Sequence, residues 1–129
     1  MPTEVMHLVL CKMKTLPTAA QEVEIRSLKT VPGVTSISCG ENYTSRGQGH
    51  NYAIAVTFVS KEAESAYQTH PLHVQVRDTV LKPLLEAPPI AIDYEYDKAV
   101  CPITWKHFMT AGFVGGVLTG LLLARSRSR

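Results

Sequence analysis

The stretch EVMHLVLCKM, residues 4–13, alternates cleanly yet is apolar on both of its alternate sets. Val5, Val9 and Cys11 share one side with His7, while Met6, Leu8 and Leu10 share the other. A strand at a sheet surface alternates apolar with polar, so a doubly apolar run predicts a strand covered on both faces in the middle of a sheet. The remaining chain has to supply that strand's neighbours.

They follow in order along the sequence. Thr18 with Gln21 three residues later makes a capping box, which opens a helix running to about Thr30 and ended by Pro32-Gly33. Residues 34–40 and 51–59 predict strands, joined by the loop ENYTSRGQGH at 41–50. Ser60 caps a helix over 61–68, a second helix begins at Pro71 and runs to about Leu85, and residues 89–97 close as a strand. Ile90, Ile92, Tyr94 and Tyr96 fall on one side of that last strand, as core or dimer-interface residues. The order β-α-β-β-α-β is the split βαβ arrangement of an α+β, ferredoxin-like fold.

Charge divides the chain. Residues 1–100 hold eleven acids against nine Lys and Arg, about −2, whereas residues 101–129 hold four bases and no acid, about +4. A mildly acidic body argues against nucleic acid, which demands a basic face on the folded part. Three cysteines, Cys11, Cys39 and Cys101, make no C-x-x-C pair and no secreted disulfide framework, which fits a reducing, cytosol-facing environment. The N-terminus has no basic region ahead of an apolar run and so reads as no signal peptide.

The basic tail follows FMTAGFVGGVLTGLLLA, residues 108–124, seventeen residues without a charge. As a helix this spans about 25 Å, slightly short of a ~30 Å hydrocarbon core, and the flanking Trp105, Lys106 and Arg125 extend it to the headgroups. Gly112, Gly116 and Gly120 recur every four residues and leave one face as bare backbone, the pattern of paired membrane helices. We therefore expect three parts: an α+β domain at 1–98, a linker at 99–104 hinged at Cys101-Pro102, and a C-terminal transmembrane tail anchor at 105–129. The lipid bilayer is the expected partner of the tail, with the domain left in the cytosol and the mitochondrial outer membrane or the peroxisome as its address.

Six separated segments carry a family resemblance: VMHLVLCKMK, VPGV, AVTFVSKEAESAY, HPLHV, LKPLL and IDYEY, in that order. Over about residues 4–97 the chain resembles the stress-responsive A/B barrel (Dabb) family. The resemblance implies a homodimer in which two four-stranded sheets pair into a barrel with the helices outside, and a cleft between sheet and helices for an apolar or lipid-like molecule. It leaves activity open, because some members resemble polyketide cyclases and many have no assigned reaction. This chain departs from the pattern in a shorter first helix and in the added tail.

Within YQTHPLH, residues 67–73, proline geometry makes His70 the helix N-cap, Pro71 the first helical residue and His73 the third. At 100° per residue His73 falls on the apolar arc of Leu72, Val76, Val80 and Leu84, while Gln75, Asp78 and Lys82 face water. Burial and the positive end of the helix dipole both disfavour an imidazolium there, so a depressed pKa and a neutral base are expected. By resemblance to the family's cyclases, Tyr67 and His73 are the catalytic candidates and His7 belongs to the same site. His73 would remove a proton between two carbonyls, and Tyr67 would stabilise the alkoxide formed by aldol closure. A histidine on an apolar helix face is also a common core residue, so ligand binding without turnover and a purely structural role at a membrane stand beside the cyclase reading.

His7, Arg77 and Tyr52 are the binding candidates; Arg77, one turn beyond His73, is suited to a carboxylate or phosphate end. His7, His50, His70 and His73 form no metal set, since no carboxylate has ligand spacing, and neither metal nor other cofactor is expected. Gly47-Gln-Gly49 is too sparse for a phosphate loop and predicts a mobile lid instead. Cys11 and Cys39 read as small buried hydrophobes.

Overall fold

In the computed structural model, which describes residues 2–98, the opening run forms strand β1 (Thr3–Cys11). It is paired on both edges, antiparallel to β3 (Tyr52–Phe58) and to β4 (Ile90–Asp97), the central place expected of it, although only one of its faces is covered. β2 (Val34–Glu41) joins β3, so the four-stranded sheet runs β2-β3-β1-β4. Helix α1 (Ala19–Arg26) links β1 to β2, and α2 (Lys61–Thr69) and α3 (Pro71–Val76) link β3 to β4. The α+β ferredoxin-like order is the one read from the residues.

Local chemistry sets the helix ends. Thr18 Oγ1 accepts from Gln21 N at 3.2 Å and Gln21 Oε1 accepts from Thr18 N at 2.9 Å, the reciprocal capping box. A 3-10 turn over Ser27–Thr30 extends α1 to Thr30, with Val31 already extended ahead of Pro32. Gly33 then takes φ +90, and a side chain there would also run into Ala63 of α2, so only glycine fits. Ser60 caps α2 through Ala63 N at 3.1 Å, and the His70 ring caps α3 by accepting from Leu72 N at 3.1 Å.

The single helix expected from Pro71 to about Leu85 is interrupted. After α3 the chain widens into a π turn, Arg77–Leu81, and recovers one helical turn, Lys82–Leu84. Pro83 supplies the physical reason, because it lacks the N–H for the carbonyl of Thr79 and its ring crowds that carbonyl.

Strand parity separates two faces of the sheet. Val5, His7, Cys11, Ile54, Val56 and Phe58 point to the helices and pack with Ile25, Leu28, Tyr67, Val76 and Val80 in one core. On the other face Met6, Leu8 and Leu10 are half-buried, and Ile90, Ile92 and Tyr94 keep 46%, 47% and 48% of their surface exposed. Tyr94 is thus no part of the core. Among the described residues no helix is long and apolar enough to cross a membrane. The expected linker at 99–104, the tail at 105–129 and its glycines Gly112, Gly116 and Gly120 lie outside the described residues.

Candidate functional site

The site is built where α2 and α3 meet the β1–β4 edge of the covered face. Register places His7 directly opposite Asp93, and His7 Nδ1 lies 2.5 Å from Asp93 Oδ1. A carboxylate on one ring nitrogen fixes the orientation of the imidazole. α2 lays the Tyr67 ring against Phe58, with centroids 4.9 Å apart, and against His7 at 6.1 Å. α3 then sets His73 on Tyr67 at 4.3 Å. Tyr67, His7 and His73 are 2%, 7% and 9% exposed, so the arc reading of His73 holds.

Hydrogen bonding assigns the His73 tautomer. Its Nδ1 is 3.1 Å from the carbonyl of Gln68, which can only accept, so Nδ1–H donates and Nε2 keeps its lone pair in the neutral ring. The Tyr67 hydroxyl and the Nε2 atoms of both histidines make no hydrogen bond among the described residues. Every fully enclosed polar side-chain atom there is bonded, so these three atoms must reach open space. Beside the cluster lies a hollow of about 310 Å³ lined by Lys61, Glu64, Asp93, Tyr94 and Glu95.

Protonation follows from burial. Desolvation lowers the His73 pKa from its ordinary 6.5; the charges of Arg77 and His7 add to the effect, and the Gln68 bond and Asp78 oppose it. Burial, and then the charge of Glu64, push the Tyr67 phenol upward. At neutral pH the pair is a neutral imidazole and a protonated phenol, the forms suited to a base and a donor.

The other binding candidates lie elsewhere. Arg77 engages Asp78 at 2.9 Å on the surface and reaches His73 only through its charge. Tyr52 stands opposite Cys11, four residues along β1 from His7, where its hydroxyl donates to Glu22 Oε2 at 2.6 Å. It lines a second pocket of about 430 Å³ with Leu10, Tyr43, Arg46 and His50. The loop expected to be a mobile lid is knit over that pocket by Asn42, which donates to His50 O and accepts from Thr44 N, and by the His50 ring on Gly47 O. Burial raises the Cys11 thiol to about 11, which keeps it an unreactive core residue.

Two acids of the site, Asp93 and Glu64, were not singled out by sequence. Alternation along β4 puts Ile90, Ile92 and Tyr94 outward, and the same rule turns Asp93 and Glu95 toward the helices. That signal was present, but its partner emerges only from the β1–β4 register. Glu64 joins them from α2, and its carboxylate, that of Asp93 and a ring nitrogen of His7 lie within 4.8 Å of one another. Sequence spacing puts no carboxylate beside His7, His50, His70 or His73; the fold brings two to His7 from separate elements.

Residues 5–96 match the family model described as the Stress Responsive A/B Barrel Domain. The fold is similar to that of a protein from Arabidopsis thaliana, with TM-score 0.63 at 24% identity over 72% of this chain and 95% of that one. It is similar to a dimeric ferredoxin-like protein of unknown function from Jannaschia, with TM-score 0.59 at 20% identity over 72% and 99%. It is also similar to the hydroxynitrile lyase of Passiflora edulis, with TM-score 0.60 at 18% identity over 76% and 97%. No curated protein matches the chain significantly.

Proposed function

Since the chain belongs to the stress responsive A/B barrel domain family, we propose that it is a homodimer binding a small apolar, carbonyl-bearing molecule beside Tyr67 and His73. One observation carries this reading: three polar atoms on stacked, buried rings have no partner among the described residues and face open space. A protein that needed these groups only for its core would have bonded them. The homodimer is supported by the half-exposed Ile90, Ile92 and Tyr94 on the open sheet face and by the dimeric relative from Jannaschia.

A second reading adds turnover, favoured by the opposite proton roles of the pair and by the fold's use in a hydroxynitrile lyase. His73 Nε2 would take an acidic C–H proton next to a carbonyl. The enolate carbon would bond to a distal carbonyl carbon, and the alkoxide would take its proton from Tyr67, as in a cyclase. The phenolate then recovers a proton from the His73 imidazolium, so no net proton is lost. The test is an NMR titration of His73 in the full chain, wild type against Tyr67→Phe. We expect a pKa below the ordinary value that moves when the hydroxyl is removed; a normal, indifferent pKa would reduce His73 to a core residue.

The third element of the proposal is tethering. The charge-free run 108–124, followed by a basic end, supports a membrane tail. Full-length protein should stay in the membrane pellet after alkaline carbonate extraction. Its release to the supernatant would leave a soluble dimer module.

A further inference from the structure

We propose that His7, Glu64 and Asp93 form a binding site for a divalent first-row transition ion, with Zn²⁺ the preferred species. The three donors come from β1, α2 and β4, and their ligand atoms already lie within 4.8 Å of one another. Coordination at ordinary metal–nitrogen and metal–oxygen lengths of about 2.0–2.2 Å sets ligand atoms about 3–3.5 Å apart, so exposed Asp93 draws back from its 2.5 Å contact with His7 Nδ1 and half-buried Glu64 moves in.

Four features of the surroundings favour a cation. Two carboxylates held this close repel one another unless positive charge sits between them. Lys61 does not supply it, because its Nζ pairs with Glu95 at 3.2 Å, and the His7 ring on Asp93 supplies it only when protonated, a proton that an ion on the ring's lone pair would replace. The outer contacts are also of the supporting kind: Gln68 Nε2 donates to Glu64 Oε2 at 2.5 Å, which orients that carboxylate, and His7 is 7% exposed with its ring packed edge-on to Phe58. The hollow of about 310 Å³ lined by Glu64 and Asp93 provides an entry path and room for water or a ligand atom to complete the coordination.

Donor chemistry selects the ion. One imidazole and two carboxylates suit Zn²⁺ or Mn²⁺ better than Mg²⁺ or Ca²⁺, which favour oxygen alone, and between the first two the general affinity order favours Zn²⁺. Three protein donors leave at least one position open, the arrangement of a working site and not of a closed structural one. The inference shares His7 with the ligand reading above but requires nothing of Tyr67 or His73.

The test is calorimetric titration of untagged full-length protein, in mild detergent, with ZnCl₂, MnCl₂ and MgCl₂ separately. We expect one Zn²⁺ per chain, weaker Mn²⁺ and no measurable Mg²⁺. Glu64→Gln and Asp93→Asn should each weaken Zn²⁺ at least about tenfold while their thermal midpoints in EDTA stay near wild type. Cys39→Ser should bind as wild type does, and Co²⁺ should give visible bands without a thiolate charge-transfer band. Absence of Zn²⁺ binding, equal binding by the carboxylate variants, or a thiolate band would each overturn the proposal. Glu64→Gln lies on a half-exposed helix position, so its result stands even if Asp93→Asn disturbs the β1–β4 pairing.

Discussion

Two tyrosines are buried to the same 2% on the covered face of the sheet, and their hydroxyls are treated differently. At one end Tyr52 donates to Glu22 at 2.6 Å and props α1 against β3. At the other end Tyr67 is stacked among His7, Phe58 and His73 and donates to nothing among the described residues. Burial pushes both phenols above their ordinary pKa, with side-chain bonding to Cys39 and Glu22 adding to it at Tyr52 and the charge of Glu64 at Tyr67. Equal burial with unequal bonding separates a structural end of the sheet from an end kept open for a ligand.

Removing the two hydroxyls in turn would break that distinction if it is wrong. Tyr52→Phe deletes a charge-assisted bond and leaves the half-buried Glu22 carboxylate only its 3.8 Å pairing with Arg26, so urea denaturation should show a loss of about 1–2 kcal/mol. Tyr67→Phe deletes a hydroxyl that bonds nothing among the described residues, and its stability should stay within about 0.5 kcal/mol of wild type. Equal losses would mean that Tyr67 has a structural partner after all, and the open end would lose its special status.

The same division marks what could be read along the chain. β1, the Thr18 capping box, the Ser60 cap and the His70-Pro71 helix start are local patterns, and each is found within a residue or two of where the pattern puts it. His73 on the apolar arc was legible for the same reason, since 100° per residue needs no tertiary information. The pairing of His7 with Asp93 and of Tyr52 with Glu22 was not, because each joins residues set together only by strand register or helix docking. Arg77 was placed near the site by helical spacing, yet Asp78 beside it in sequence captures the guanidinium first. The π turn escaped notice because a proline in the last turn predicts a disturbance without saying how the preceding carbonyls will be rearranged.

The smallest expected effect comes from His73 itself and concerns pH. Its folded pKa lies below the ordinary 6.5, with burial as the largest cause, the positive charges of Arg77 and His7 adding to it, and the Gln68 bond and Asp78 working against it. Above 6.5 the ring is neutral in both the folded and the unfolded chain, and it contributes no pH dependence. As pH falls through 6.5 toward the depressed folded value, the unfolded chain takes up a proton that the folded chain refuses, so stability falls with pH across that window. His73→Gln removes the titrating group and keeps an N–H suited to the Gln68 carbonyl. Wild-type stability, followed by denaturant titration from pH 7.5 to below 6, should therefore drop more steeply than that of the variant. Parallel curves would mean that His73 is as free to charge in the folded protein as in water, and the open end would then lack the neutral base on which its chemistry depends.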